Sequence, residues 1–243
     1  MEKSRDNNRA ADEPNPSVDL GSNRAGGLPH IMRHPLTPKD ALPLLAAIER
    51  KDMATAAHTW RVILYTRALC EARGLERDII ERITVAAALH DIGKIDTPDE
   101  ILKKPGDLTA DEFEIIKLHT VHGHRRLVEM GVDDPILLNL VRHHHERIDG
   151  SGYPDGLKGR DIPVGPRYFS VIDAFDAMTS VRPYRLEIGE SAAQRALAEL
   201  QTHAGVWYCD EAVELFESVF RKGGIDWVLH YFNDTCPVPP IDA

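Results

Sequence analysis

Twelve histidines are spread unevenly over the 243 residues: eight fall between positions 58 and 145, six of those between 119 and 145. Imidazoles and carboxylates are the donor set of Fe, Mn, Zn or Ni, so the question is which of them share an interior. At 100° per residue, His58 falls on the stripe of Val62, Tyr65 and Leu69, and His90 on that of Ile83 and Ala86. His119 lines up with Ile116, Gly123, Leu127 and Met130, His144 with Leu137, Leu140 and Val141, and Asp173 with Phe169 and Ala177. Five helical segments therefore each aim a ligand-type side chain at an apolar interior, with Asp91 and His145 beside them at helix ends. One inward histidine is usually a satisfied core residue. Four inward histidines with two aspartates are costly to desolvate unless paired or bound to cations. Divalent ions account for the joint pattern, and a carboxylate shared between two of them suits a dinuclear site. Other histidines do not join: His124 and His143 project toward polar flanks and are expected in solvated positions, and His122, although it flanks the stripe, is expected to be incidental rather than a supporting residue. His30, His34, His203 and His230 have no evident partner, and Asp99, Glu100, Asp111 and Glu112 read as charges at helix starts.

The elements that must position these groups are helical. Thr37 followed by Pro38 reads as an N-cap with proline at the first helical position, opening a helix through Arg50. Helical periodicity then covers 55–73, 78–91, 109–130 (opened by a Thr109/Glu112 capping box), 134–146, 167–180, 191–203 and 211–222. The stretch 149–166 holds five glycines and three prolines and is expected to be a loop. Period-2 alternation is scarce, so the expected fold class is all-α, a compact helical bundle. Residues 1–36 are rich in Asn, Asp, Gly and Pro and read as a flexible polar tail, too short and too polar for a receiver or sensor domain.

Composition narrows the classes of function. No stretch approaches the roughly 18 apolar residues of a membrane span, and the first 30 residues lack the apolar core of a secretion signal. The three cysteines, Cys70, Cys209 and Cys236, are odd in number and far apart, which fits a reducing cytoplasm rather than a disulfide framework. A net charge of −10 disfavours an extended nucleic acid, whose binding relies on a basic surface. A small ligand with two phosphates needs only a local cluster of cations.

The run LHDIGKIDTPDEILKKPGDLT, followed 28 residues after Asp91 by His119, then HHERIDGSGYPDGLKGRDIP and VIDAFDAMTSVRPYR, resembles the HD-GYP family of cyclic di-GMP phosphodiesterases. That family is a subgroup of the HD metal-dependent phosphohydrolases, and the similarity spans about residues 42 to 220. The resemblance implies an HD-type helical bundle over 37–243 with metals at its centre and a Gly/Pro-rich loop, Gly152-Tyr153-Pro154, beside them. It makes His58, His90, Asp91, His119, His144, His145 and Asp173 the metal ligands, with Asp91 bridging. In His143-His144-His145 the family's histidine pair falls on the second and third, because the spacing to Asp149, Gly150 and Tyr153 is fixed. The phosphate-contacting lysine falls on Lys94, and the basic residues after the last aspartate on Arg182 and Arg185. Departures are visible. Ala54 stands where some members place a third-metal glutamate, although Asp176 matches another third-site ligand. Val181 replaces an acidic residue, and Tyr208-Cys209-Asp210 stands for Phe-Asp-Pro. Two divalent ions, Fe or Mn, are therefore expected and a third is not.

The implied reaction is hydrolysis of cyclic di-GMP to linear pGpG, with GMP after a second cut. Two metals would activate a water as the in-line hydroxide and neutralise charge developing on the phosphate. Lys94, Arg182 and Arg185 would hold phosphate oxygens, Tyr153 would stack on or hydrogen-bond a guanine, and Lys94 and Asp91 are the candidates for orienting the water. Three alternatives stay open: another cyclic dinucleotide such as cyclic GMP-AMP, a guanosine tetraphosphate alarmone, or a non-catalytic receptor engaging signalling proteins through the loop. The intact loop weighs against the alarmone, and the complete ligand set against a pure receptor.

Overall fold

A computed structural model describes residues 36–51, 53–180 and 190–231. The tail 1–35, Arg182 and Arg185 lie outside the described residues. Thr37 and Asp40 cap each other's backbone, Asp40 N donating to Thr37 Oγ1 (3.4 Å) and Thr37 N to Asp40 Oδ2 (3.0 Å). Helix α1 (Pro38–Lys51) starts there, and α2 (Met53–Ala72) and α3 (Arg77–Leu89) follow. The chain then tightens into a 3-10 turn at Ile92–Asp96 and one short turn of helix, α4 (Asp99–Leu102).

The region expected as one helix over 109–130 is two: α5 (Ala110–Lys117) and α6 (His119–Glu129), parted at Leu118. The Thr109/Glu112 capping box opens α5 as anticipated. At the break, His119 Nδ1 sits 2.7 Å from Ile116 O and Thr120 Oγ1 donates to Lys117 O at 3.0 Å, so side chains take up carbonyls at the junction. Helix α7 (Pro135–His143) ends three residues before the expected 146, and α8 (Val164–Thr179) begins three residues earlier than expected. Helices α9 (Glu190–Thr202) and α10 (Asp210–Arg221) match expectation; α11 (Asp226–Tyr231) was not anticipated. The described residues contain no strand, so the fold is all-α. None of their helices is long and apolar enough to cross a membrane.

Helix α2 packs against α1, α3, α8 and α10. Its Val62, Tyr65 and Leu69 are buried with Leu89, Leu127, Leu140, Phe169 and Phe175. Tyr65, Phe175 and Phe216 meet edge to face or tilted, with ring centroids 4.7–6.0 Å apart. These apolar stripes place His58, His90, His119, His144 and Asp173 at the meeting of α2, α6 and α8 with the ends of α3 and α7. The backbone makes one very close approach nearby: a Cβ on Gly93 would stand 1.9 Å from His119 O and 2.5 Å from Gly123 N. Only glycine fits. Gly93→Ala is expected to push the 92–96 turn off α6, costing about 3 kcal/mol and lowering the melting temperature by roughly 5–10 °C. A calorimetric scan within 2 °C of wild type would contradict this close approach.

Candidate metal centre

Each of four imidazoles is held by its outer nitrogen. Nδ1 lies 2.7 Å from Ala87 O in His90, 2.7 Å from Ile116 O in His119 and 3.0 Å from Val141 O in His144. His58 Nδ1 lies 2.8 Å from Asp176 Oδ2. A carbonyl or carboxylate partner assigns the proton to Nδ1 and leaves the Nε2 lone pair facing inward. The inner nitrogens then meet head on, His58 Nε2 with His90 Nε2 at 3.1 Å and His119 Nε2 with His144 Nε2 at 3.2 Å. While both imidazoles of a pair are neutral, two lone pairs at that distance share no hydrogen, and a cation between them resolves the repulsion. This donor set fits divalent metal.

The groups fall into two neighbouring sets, His58/His90/Asp91 and His119/His144/His145, each with candidate ligand atoms within 4.8 Å of one another. Two carboxylates span both sets. Asp91 Oδ2 lies 3.2 Å from His90 Nε2, while its Oδ1 lies 3.4 Å from His119 Nε2 and, though buried, has no hydrogen-bond donor. Asp173 Oδ1 lies 3.5 Å from His58 Nε2, and its Oδ2 lies 4.0 Å from His145 Nδ1. The structure thus brings together all seven ligand candidates. Lys94 joins them, Nζ to Asp91 Oδ2 at 2.5 Å, with its side chain 26% exposed at the opening. Tyr153 is half-buried, its ring 4.8 Å from that of His145.

The electrostatics favour open ligands. Burial pushes Asp91 toward the neutral acid, yet His90 and Lys94 outweigh it and hold the carboxyl well below its usual range. Burial drives His119 down to about 4 against the pull of Asp91. Burial, with His145 and His90 adding to it, holds His144 well down, and burial takes His145 to about 3. His90 is the exception: burial lowers it, but Asp91 raises it further. A histidine lowered in the folded state stays neutral while the unfolded chain takes up a proton near pH 6.5. Stability of the metal-stripped protein should therefore fall as the pH drops from about 6.5 toward 4, the value of His119. His124 and His143, also lowered by burial, act in the same direction, while His90 and Glu146, both raised, oppose them. Urea denaturation in chelator at pH 7 and pH 5 measures the difference; greater stability at pH 5 would refute the assignment of neutral histidines.

A surrounding layer locks the ligands. Asp176, 0% exposed, accepts from Arg61 Nε at 2.6 Å and Ser180 Oγ at 2.9 Å besides meeting His58. Burial raises its carboxyl, but His58 and Arg61 hold it at about 2. Arg61 is itself only 3% exposed. The Phe169 ring packs 4.9 Å from His90 and 6.2 Å from His144. The loop after His145 is folded back by Glu146, whose carboxylate accepts from Asp155 N at 2.8 Å and Leu157 N at 3.0 Å. A Cβ on Gly152 would sit 2.3 Å from Arg147 N, so this close turn also requires glycine, and Tyr153 N donates to His145 O at 3.2 Å.

Some expectations need correction. His143 is not solvated: it is 9% exposed, Nδ1 3.5 Å from Asp155 Oδ2, because the returning loop covers the polar flank of α7. His124 is half-buried rather than solvated. His203 has partners after all, Glu199 Oε1 at 3.2 Å and a stacked Trp207 ring at 3.7 Å. Asp176, which matches a third-site ligand of the family, is bonded to His58 and Arg61. His122 is half-buried, and among the described residues no hydrogen bond or ion pair ties it to the cluster. Sequence reasoning missed Arg61 and Glu146, and put Phe169 on the inward stripe of Asp173 without its contact to the histidine rings. The signal for Arg61 was present, a charged residue one turn after His58 on the same helix face; the loop-holding role of Glu146 had none.

Comparison with known proteins bears on the family and the fold. The family model described as "HD domain" matches residues 43–213. A cyclic di-GMP phosphodiesterase of Thermotoga maritima is 44% identical over 171 residues, which cover 69% of this chain and 45% of that protein. The 3'3'-cGAMP-specific phosphodiesterase 2 of Vibrio cholerae is 38% identical over 157 residues, 61% of this chain and 29% of that protein. The chain thus spans less than half the length of these curated relatives. Among solved structures, an HDG"Y"P protein from Bdellovibrio bacteriovorus superposes with a TM-score of 0.54 at 20% identity, over 68% of this chain and 51% of that one, a likeness of fold.

Proposed function

The chain belongs to the HD-domain family, and from that premise we propose that it is a metal-dependent phosphodiesterase that hydrolyses cyclic di-GMP to pGpG, with GMP after a second cut. The observation that carries this reading is the division of the Asp91 oxygens between two histidine sets. His58, His90, Asp91, His119, His144, His145 and Asp173 would hold two divalent ions, Fe or Mn, and no third. Bound there, such ions supply Lewis acidity toward a phosphate oxygen and lower the pKa of a coordinated water.

The protein's own groups do the rest. Nδ1 contacts to the backbone keep the imidazoles oriented, and Asp173 and Asp91 keep the two sets in register. Lys94 Nζ, hydrogen-bonded to Asp91 Oδ2, presents positive charge at the opening, where a phosphodiester oxygen would lie; with Asp91 it also orients the attacking water. Arg182 and Arg185 complete the phosphate contacts in this reading. Tyr153 packs beside the His145 ring and offers its own ring to a guanine. Exposed Ser151 and Asp155 at the loop surface are where a signalling protein would touch it. The division into a tail, 1–36, and a catalytic domain, 37–243, is part of the proposal. So is a cytoplasmic location, supported by Cys70 and Cys209 as free thiols.

The test is direct. Protein loaded with Mn or, anaerobically, with Fe should release pGpG from cyclic di-GMP, followed by chromatography. A second reading, cyclic GMP-AMP as the preferred substrate, is favoured by the 38% identity to the Vibrio cholerae enzyme. Parallel assays decide between them, and tight binding without turnover of either would leave a receptor.

A further inference from the structure

We propose that Phe113 and Lys117, on the helix that leads into His119, form with Tyr153 a recognition corner for guanine; this rests on the cyclic dinucleotide reading above. Phe113 is 45% exposed. A single exposed phenylalanine is unremarked in most proteins, but this one is not isolated. Its ring stands 6.4 Å from that of Tyr153 at 83°, so the two rings make the walls of a right-angled corner. The Lys117 ammonium lies in that corner, 5.1 Å from the Phe113 centroid and 5.7 Å from that of Tyr153. Tyr153 in turn lies 4.8 Å from the His145 ring and 6.4 Å from that of His119. A π-surface and a cation therefore sit at the margin of the metal centre, within reach of a base whose phosphate occupies it.

The chemistry selects guanine. Its O6 and N7 are adjacent acceptors and suit an ammonium donor, whereas adenine sets an amino group beside N7. An aromatic wall accepts any base face, so Phe113 supplies affinity and Lys117 supplies discrimination. Lys117 already bonds Glu114 Oε1 at 2.6 Å. That pair is at the surface and contributes little, so the ammonium can turn toward a base at small cost while Glu114 keeps it near the corner. The break at Leu118 matters too: it sets the end of α5 beside the loop while α6 carries His119 inward.

The test uses the full metal-loaded chain with Phe113→Ala and Lys117→Met. Steady-state constants are measured for cyclic di-GMP, cyclic di-AMP and bis(p-nitrophenyl) phosphate, a diester without bases. Calorimetric binding of cyclic di-GMP reads the corner even where turnover is absent. Phe113→Ala should raise KM and Kd for cyclic di-GMP about tenfold with kcat nearly unchanged. Lys117→Met should raise them about threefold or more and erase the preference over cyclic di-AMP. Cleavage of bis(p-nitrophenyl) phosphate should stay at wild-type level. Wild-type affinity for cyclic di-GMP in both variants would overturn the corner, and so would equal losses on the base-free diester. Wild-type protein that cleaves the simple diester but binds and cleaves no cyclic di-GMP would instead overturn the functional reading on which the corner depends.

Discussion

Asp91→Ala is expected to reduce pGpG release from cyclic di-GMP by about a thousandfold or more, while the protein stays folded. No other side chain offers one oxygen to His90 and its neighbour to His119 among the described residues. Its removal leaves Asp173 as the one remaining carboxylate, among the described residues, that spans both histidine sets, and leaves Lys94 without the carboxylate it bonds. Loss of roughly 4 kcal/mol of transition-state stabilisation, within the range for metal and charge effects at such centres, corresponds to that factor. Metal content should fall with activity, and elemental analysis of the variant reads this independently of turnover. Asp91→Asn keeps the volume and sheds the charge, so it separates packing from electrostatics and should be nearly as inactive. Turnover within tenfold of wild type in Asp91→Ala would end the shared-carboxylate reading.

The second large effect is expected one layer out. Asp176→Ala takes away the carboxylate that Arg61 Nε meets at 2.6 Å in a place where both residues are almost wholly buried. Removing one partner of a buried pair costs about 3–5 kcal/mol, here accompanied by loss of the anchor on His58 Nδ1. Denaturant titration should show a drop of that order. Asp176→Asn, which keeps an acceptor and the volume, should fold better and still weaken metal binding about 10- to 100-fold, as loss of an orienting partner does. Unchanged metal affinity in Asp176→Asn would mean that His58 is oriented by packing alone.

Helical phase was sufficient to put His58, His90, His119, His144 and Asp173 in one interior, because an α-helix repeats every 3.6 residues and a polar group on an apolar stripe stands out locally. The N-cap at Thr37 and the capping box at Thr109 were legible for the same reason: cap and partner lie three residues apart. The burial of His143 was not legible. Its helix face is polar by periodicity, and the loop that covers it returns from beyond residue 149. The break at Leu118 escaped because the carbonyls lost there are taken by side chains whose rotamers no periodicity records.

By itself, then, the sequence determined the helical class, the donor types and the residues that face inward, since each depends on contacts within about a turn of helix. Only the tertiary structure decided how those donors divide: which Asp91 oxygen faces which histidine, that Asp176 serves His58 and Arg61 from 118 and 115 residues away, and that Phe113 and Lys117 meet Tyr153. These pairings join segments far apart along the chain. They arise where helices and loops are packed at fixed angles, and local periodicity carries no information about that packing.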